Sequence, residues 1–335
     1  MKTDLPTTEW IWRNGKLIPW EDASIHVMSH VVHYGSSVFE GIRSYETPQG
    51  PAVLRLQDHL RRFFDSARIY RMDLGYSPEE IATACIDLMR ANGLGECYIR
   101  PVAIRGMGAL GLNPHPSPVE TYIICWPWGA YLGADALEKG VDACVSSWQR
   151  PSPNTYPTLA KAGGHYMNAQ LMKMEAAANG YAEAIALSPS GLVSEGSGQN
   201  IFLVRNGVLV TPRLDGTMLS GVTRDCILKL AADEGIPVAA EGVAREALYT
   251  ADEVFFSGTA AEITPVRSID RIEVADGKPG PITLRLQKAL LEVAKGQRPD
   301  RHGWLTHVSP GADQENARSG AESSAATPAG VASRG

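Results

Sequence analysis

The sequence predicts an α+β protein, with mixed α and β structure, organised in two domains. Strand-like and helix-like segments occur in groups, without the repeated strand–helix–strand rhythm of a parallel α/β sheet. The 335 residues suffice for two hydrophobic cores, because domains usually contain about 100–200 residues. A Pro/Gly/aromatic stretch from Trp126 interrupts the pattern near the middle. We predict a small domain over 1–126, a connector over 127–138 and a large domain over 139–308.

Composition excludes several classes of function. A hydrophobic share of 44% and a charged share of 20% are typical of a soluble globular protein. We expect a cytoplasmic protein, because the N-terminus lacks a signal sequence and no apolar run approaches the roughly 20 residues that span a bilayer. The formal charge of -6, without a basic cluster, argues against nucleic-acid and membrane partners. The five cysteines lack CxxC spacing, and neither they nor His26, His30 and His33 predict a metal site.

The first domain is predicted to contain a hairpin, further strands and two consecutive helices. Asn14-Gly15 predicts a hairpin turn, and Ser77 with Glu80 predicts a capping box at a helix start. Alternation over 97–105 predicts a strand with Tyr98 and Arg100 on one face. The remaining predicted segments are a strand over 37–45, a helix from Asp58 with Leu60, Phe63, Phe64 and Ala67 on its apolar stripe, a stripe of Ile81, Ala84, Cys85 and Leu88 after Ser77, and a strand over 121–125.

The second domain begins with a strand predicted over 141–147. A stiff proline-rich loop, 150–157, then leads to Lys161 and to a helix that ends at Asn179-Gly180. Its Met167, Leu171, Met174 and Ala178 share one face, which we predict to be core. Short strands over 184–187, 192–195, 200–204 and 208–211 predict an antiparallel meander, and another helix follows Gly221. Residues 309–335 predict a disordered tail, because they hold a single aliphatic residue other than alanine.

Three segments carry potential chemistry. Lys161 lies between small residues that leave its amine accessible, although a solvated loop lysine would look the same. The segments 219–225 and 256–262 can present backbone N–H groups to a phosphate, although each can also be an ordinary helix cap. Glu195 ends a strand beside glycines, where a solvated turn carboxylate is the alternative. A lysine, two phosphate-binding turns and a carboxylate together suit pyridoxal 5′-phosphate.

The motifs resemble those of bacterial branched-chain amino acid aminotransferases, a family of fold-type IV pyridoxal-phosphate enzymes. The likeness spans 10–308 and is carried by the runs 30–43, 98–101, 161–164, 194–196 and 257–262. It implies the fold of D-amino acid aminotransferase, with a small α/β domain and a larger pseudo-barrel β domain with helices that binds the cofactor. It also implies a homodimer or a homohexamer.

The resemblance implies a role for each matched residue. Lys161 would be the catalytic lysine, bonded to the cofactor as a Schiff base, and Glu195 would pair with the pyridine nitrogen. Arg62 would hold the phosphate, with Arg61 as an alternative that the pattern leaves open. Val222, Thr223 and Thr259 would also contact the phosphate, and Tyr166 would contact the phenolic oxygen of the cofactor. The substrate carboxylate would meet Tyr98, Thr259 and Ala260. The pocket for the apolar side chain would be formed by Tyr34, Phe39, Trp128 and Tyr131, with Arg100 at the edge of this pocket.

The implied reaction moves the amino group of L-leucine, L-isoleucine or L-valine to 2-oxoglutarate, reversibly and by ping-pong kinetics, as the last step of branched-chain amino acid biosynthesis. Arg100 is our candidate for recognising the side-chain carboxylate of glutamate. The alternatives are another fold-type IV enzyme (aminodeoxychorismate lyase, or a transaminase for D-amino acids or amines) and a protein that keeps the fold without catalysis. Two residues depart from the family pattern, His165 where asparagine is usual and Gln199 where glutamate is usual, and they leave the finer substrate preference in doubt.

Overall fold

The computed structural model describes residues 6–129 and 135–308, which form two β-sheets with helices packed against them. This arrangement confirms the α+β prediction. The predicted tail and Tyr131 lie outside the described residues. Within the described residues, no helix is long and apolar enough to cross a membrane.

The first sheet is built mainly from the N-terminal part of the chain. Its strand order is β17-β5-β4-β6-β7-β1-β2, with β3 also paired to β6. Its strands are β1 (Trp10–Arg13), β2 (Lys16–Pro19), β3 (Ser37–Phe39), β4 (Ile42–Tyr45), β5 (Ala52–Leu54), β6 (Tyr98–Arg105), β7 (Val119–Trp126) and β17 (Leu305–His307), and the helices of this part are α1 (His30–Tyr34), α2 (Leu56–Ile69) and α3 (Pro78–Ala91). Because β17 comes from the end of the described chain, the two halves are linked at this sheet; the predicted domain limits stay a prediction.

Most N-terminal predictions are confirmed. The hairpin of β1 and β2 forms, the capping box of Ser77 and Glu80 starts α3, and the predicted stripes of α2 and α3 are buried apart from Phe64, which is half-buried. Helix α2 begins at Leu56, two residues before the predicted start. The prediction of one strand over 37–45 is wrong, because the ladder stops between β3 and β4. The Glu40 N–H donates to the Pro101 carbonyl, and Pro101 has no N–H to return.

The second sheet has the order β10-β9-β8-β15-β14-β11-β12-β13, with β16 paired to β15. Its strands are β8 (Val141–Val145), β9 (Glu183–Leu187), β10 (Val193–Gly196), β11 (Asn200–Arg205), β12 (Val208–Pro212), β13 (Val238–Glu241), β14 (Glu253–Gly258), β15 (Glu262–Ile269) and β16 (Ile272–Glu273). The helices that accompany it are α4 (Ala136–Lys139), α5 (Tyr166–Ala178), α6 (Val222–Asp233) and α7 (Pro281–Ala294).

The predicted meander is wrong, because four strands separate β10 from β11 in the sheet. Five strand spacings in a flat sheet would cover about 24 Å. The chain from Gly196 to Asn200 reaches at most about 14 Å. The sheet must therefore curl so that β10 returns to β11, which agrees with the expected pseudo-barrel.

The predicted core face of α5 is also wrong. Met167 and Met174 are each 64% exposed and Leu171 is 37% exposed, whereas Met172, Ala169 and Ala176 are buried. The buried face packs on alanines of β9. Small side chains let the helix approach the sheet closely, so the helix turns Ala169 and Ala176 inward beside Met172 and leaves Met167, Leu171 and Met174 at the surface.

Candidate active site

A cleft lies between the two sheets and receives residues from both halves of the chain. The first half contributes Arg62 from α2 and Tyr98 from β6. The second half contributes the loop before α5, the end of β10, the start of α6 and the turn after β14. The predicted residues that line the cleft are Arg62, Tyr98, Lys161, Tyr166, Glu195, Val222, Thr223, Thr259 and Ala260.

Lys161 is fixed by its backbone and leaves its amine in the cleft. Its N–H donates to Ser66 Oγ at 2.9 Å, and its carbonyl accepts from the Phe39 N–H at 2.9 Å. The Nζ atom lies 2.6 Å from Tyr166 Oη and 4.9 Å from the centre of the Phe39 ring. A glycine is required at position 163, since a Cβ there would lie 2.2 Å from Ser37 Oγ. The first half of the chain thus aims this lysine.

Glu195 is a buried carboxylate with three protein donors. Oε1 lies 3.0 Å from Arg150 Nη2, while Oε2 accepts from the Leu219 N–H at 3.3 Å and from Asn200 Nδ2 at 3.2 Å. Burial raises the pKa of Glu195 above its ordinary value, and the positive charges of Arg150 and Lys161 oppose that rise. The carboxylate is therefore held in one orientation at the wall of the cleft.

Arg150 was missed by the sequence analysis, which noted only the stiffness of its loop. Besides Glu195, it donates to the carbonyls of Gly196 at 3.0 Å and Ser197 at 3.1 Å, and to Asn168 Oδ1 at 3.3 Å. It therefore ties the loop to the end of β10. The only sequence signal is an arginine directly before Pro151, which is too common to identify a partner of Glu195.

Anion-binding groups converge at one end of the cleft. Val222 and Thr223 are in the first turn of α6, after the N-cap Gly221, and such N–H groups have no partner within the helix and carry partial positive charge. Thr259 lies in the hairpin turn between β14 and β15, so this segment is not the helix cap that was its alternative. Ser257 Oγ is buried there without a hydrogen-bond partner among the described residues. Arg62 reaches the cleft, whereas Arg61 is exposed on the outer face of α2.

Glu40 was also missed, and it supports Arg62. Its carboxylate accepts from Arg62 Nε at 2.6 Å and Nη2 at 2.9 Å, from His59 Nδ1 at 2.8 Å and from the Gly41 N–H at 3.2 Å. Burial would raise the pKa of Glu40, but the Arg62 charge and the His59 hydrogen bond outweigh it and hold this pKa well below its usual range. Burial lowers the pKa of His59, so its ring is neutral near pH 7.

An aromatic group borders the cleft beside Tyr98 and Tyr166. Tyr98 and Arg100 share one face of β6 as predicted, with the Arg100 guanidinium 4.8 Å from the Phe39 ring centre and 5.4 Å from that of Tyr98. Phe39 lies 4.9 Å from the Tyr166 ring, and Trp128 lies 4.6 Å from the Tyr98 ring. Phe39, Arg100 and Trp128 therefore adjoin the lining residues without being among them.

Tyr34 is the predicted site residue that the fold of this chain keeps away from the cleft. It is 43% exposed and its ring packs 4.5 Å from that of His30 on α1. The residues that depart from the family pattern are close to the site: His165 Nε2 lies 2.8 Å from Tyr70 Oη, and Gln199 Nε2 donates to Glu183 Oε2 at 3.0 Å. Both line the cleft.

Comparison with known proteins agrees with this geometry. Residues 37–269 match the model of the amino-transferase class IV family. The branched-chain-amino-acid aminotransferase of Escherichia coli is 52% identical over 303 residues, covering 90% of this chain and 98% of the relative. The Salmonella typhimurium enzyme of the same name is 51% identical over 302 residues, with the same coverage.

Solved structures give the same picture. The E. coli branched-chain amino acid aminotransferase superimposes with a TM-score of 0.89 at 51% identity, covering 90% of this chain and all of that one. The Thermobaculum terrenum enzyme of the same name, solved in its pyridoxal-phosphate form, gives 0.84 at 38% identity, covering 91% of this chain and all of that one. The expected fold-type IV architecture is thereby confirmed, and this chain belongs to the class IV amino-transferase family.

Proposed function

We propose that this protein transfers the amino group of L-leucine, L-isoleucine or L-valine to 2-oxoglutarate, with pyridoxal 5′-phosphate as cofactor. The observation that carries the proposal is that Lys161, the buried Glu195 and the anion-binding end at Arg62 meet in one cleft. The relatives that this chain matches over 98% of their own length are named branched-chain-amino-acid aminotransferases, which supports the branched-chain part of the proposal.

The residues of the cleft fit this cofactor. Arg62, the α6 N-terminus and the 257–259 turn would hold its phosphate, and Ser257 Oγ, which lacks a hydrogen-bond partner among the described residues, is a donor at that end. Glu195 supplies a carboxylate for the ring nitrogen, and Tyr166 supplies a hydroxyl beside the lysine amine. The positive Arg62 and the negative Glu195 both line the cleft, as a ligand that carries a phosphate and a basic nitrogen requires.

Pyridoxal 5′-phosphate, when bound, supplies an aldehyde that exchanges amines and a ring that withdraws electrons from the substrate Cα. Lys161 Nζ removes the proton from that Cα and later returns a proton as the acid. Tyr166 Oη, at 2.6 Å, orients the amine for this transfer. Glu195, with Arg150 holding its other side, keeps a proton on the ring nitrogen, which strengthens the electron withdrawal.

The substrate end divides into polar and apolar parts. Tyr98 and the backbone N–H groups at Thr259 and Ala260 would bind the α-carboxylate. The aromatic rings of Phe39 and Trp128 would pack on a branched side chain. We assign Arg100 to the side-chain carboxylate of glutamate, because its guanidinium lies among these rings and its buried Nε has no hydrogen-bond partner in the described residues.

A coupled assay tests the proposal. The protein is incubated with pyridoxal phosphate, each of the three branched L-amino acids and 2-oxoglutarate, and the formation of glutamate and the branched 2-oxo acid is measured. We expect turnover with all three donors and parallel lines in a double-reciprocal plot, as ping-pong kinetics requires. Pyruvate released from aminodeoxychorismate would instead indicate a lyase, and activity restricted to D-amino acids or amines would indicate the other transaminases.

We further propose that the protein acts as a homo-oligomer, a dimer or a hexamer, in the cytoplasm. Exposed apolar side chains support association: Val27 precedes α1, Val32 and Tyr34 lie on it, and Met167, Leu171 and Met174 form a stripe on α5. In such an assembly Tyr34 would line the cleft of a neighbouring subunit. This position would agree with its predicted role, although within the described residues Tyr34 does not line the cleft of its own chain. Sedimentation of the purified protein tests the assembly, and fractionation of cells that express it tests the location.

A further inference from the structure

Glu40 has no task in the reaction proposed above, although it is fully buried at the break between β3 and β4. Within the described residues it is absent from the lining of the cleft. Its carboxylate nevertheless receives four hydrogen bonds, from Arg62 Nε and Nη2, from His59 Nδ1 and from the Gly41 N–H. Burying a carboxylate is unfavourable unless it is paired. The charged partner of the buried Glu40 carboxylate is Arg62, whose side chain lines the cleft.

The hydrogen bonds of Arg62 leave a defined set of donors for a ligand. A guanidinium has five N–H groups. The Glu40 carboxylate accepts one hydrogen bond from Nε and one from Nη2. The Ser220 carbonyl accepts one from Nη1 at 2.9 Å. Among the described residues, one N–H on each Nη atom remains for an anion, and the side chain carrying them lines the cleft.

We infer that Glu40, itself oriented by His59, is a positioning residue that fixes the plane of the Arg62 guanidinium so that its two remaining N–H groups meet the cofactor phosphate. A free arginine side chain loses much rotamer freedom when it binds an anion. Glu40 restricts the rotamers of Arg62 before the phosphate binds. The loss of side-chain entropy therefore does not reduce the free energy of phosphate binding. The inference rests on the proposed function, because it takes the phosphate of pyridoxal phosphate as the ligand.

The competing explanation is that Glu40 only stabilises the fold, by joining α2 to the first sheet. The two explanations differ in their dependence on the phosphate. A positioning role affects ligands that carry a phosphate and spares those that lack one. A purely structural role affects both kinds alike.

Equilibrium binding separates them. Cofactor is removed from the wild type and from Glu40→Gln, each is titrated with pyridoxal 5′-phosphate and with pyridoxal, and the cofactor absorbance is followed. We expect Glu40→Gln to weaken pyridoxal phosphate about tenfold, since a hydrogen bond to a charged group is lost, and to change pyridoxal less than twofold. Asp58→Asn is the control, because Asp58 is a carboxylate on α2, the helix that carries Arg62, and it pairs with Arg55 instead.

A double-mutant cycle with Arg62→Met adds a second readout. If Glu40 acts through Arg62, the Arg62→Met and Glu40→Gln/Arg62→Met proteins should bind pyridoxal phosphate equally. Additive losses, or equal weakening of both ligands by Glu40→Gln, would overturn the inference. Should Glu40→Gln fail to fold, Glu40→Asp is the second variant. It keeps the negative charge but moves the carboxylate away from Arg62, and it should show the same selective loss of affinity for pyridoxal phosphate. A wild type that binds no pyridoxal phosphate would refute the proposed function, whereas tight binding by wild type and Glu40→Gln alike would refute only this inference.

Discussion

At the scale of single residues, the chemistry of the cleft depends on side chains whose surroundings are set by distant segments. Lys161 is held on both sides of its peptide unit by Ser66 and Phe39 of the other half of the chain. Glu195 is held by Arg150, Asn200 and the Leu219 N–H. Substitution of Lys161 should therefore remove the covalent attachment of the cofactor, whereas substitution of Arg150 should remove the electrostatic support of Glu195.

Replacing Lys161 with alanine should abolish transamination, because it removes the amine that bonds to the cofactor and moves the substrate proton. Borohydride treatment followed by mass spectrometry should find cofactor attached to the wild type and none attached to the variant. Lys139→Ala, which changes an exposed lysine paired with Asp135, serves as the control and should behave as the wild type. Turnover at the wild-type rate by Lys161→Ala would refute the assignment.

Replacing Arg150 with glutamine should move the acidic limb of the pH–kcat/KM profile to higher pH. Burial already raises the pKa of Glu195 and Arg150 opposes it, so removing that positive charge raises this pKa further. The carboxylate is then protonated at a pH where the wild type keeps it ionised. We expect kcat/KM at neutral pH to fall about tenfold.

Arg150→Lys is the companion variant for this prediction. Lysine retains the positive charge but lacks the guanidinium group whose Nη2 donates to the Gly196 and Ser197 carbonyls. Its acidic limb should stay near the wild-type position even if its rate falls. An equal shift in both variants would show that Arg150 acts through loop geometry, not through charge.

At the scale of elements, the interruption between β3 and β4 is a functional feature that alternation alone hides. Both strands pair with β6 in one continuous register, and Pro101 interrupts the ladder opposite Glu40. Glu40 then reaches Arg62, and Gly41 leaves room for Tyr98. A sequence pattern with a period of two cannot reveal this, because the cause lies in the partner strand.

Gly41→Ala tests the close approach at this break. A Cβ on Gly41 would lie 1.9 Å from Tyr98 Oη, so the hydroxyl must move out of position. We expect kcat/KM for L-leucine to fall about 100-fold, as a displacement near 1 Å can cause, with cofactor affinity nearly unchanged. Gly198→Ala is the control, since its Cβ would meet nothing within 4 Å in the same cleft. Similar losses in the two variants would contradict this reasoning.

At the scale of the whole molecule, the curled second sheet bears on the shape of the protein and the exposed stripe of α5 bears on the proposed assembly. The sheet returns β10 to β11 and so brings Glu195 and Asn200 together. In the stripe of Met167, Leu171 and Met174, the two methionines are each 64% exposed and Leu171 is 37% exposed within the described chain. An apolar surface of this kind suits a second copy of the protein.

Leu171→Glu combined with Met174→Glu should therefore shift the protein towards monomers in sedimentation velocity, because two charges would be buried without partners at the contact. Leu284→Glu, at an exposed leucine of α7, is a matched change outside the stripe and should leave the assembly intact. If all three proteins sediment alike, the α5 stripe lies outside the contact.

The sequence by itself determined local elements of this protein: the hairpin, the capping box of α3 and the helix after Gly221. These follow from local signals, since caps and turns are encoded by neighbours in the chain. The resemblance of its motifs to a known family indicated Lys161, Glu195, Arg62 and Tyr98, which the structure brings into one cleft. Only the tertiary structure decided that α5 buries its alanines, that β10 and β11 meet around a curled sheet, and that Glu40 and Arg150 support Arg62 and Glu195. Those outcomes depend on contacts between residues far apart in sequence, where close packing and pairing of buried charges outweigh periodicity.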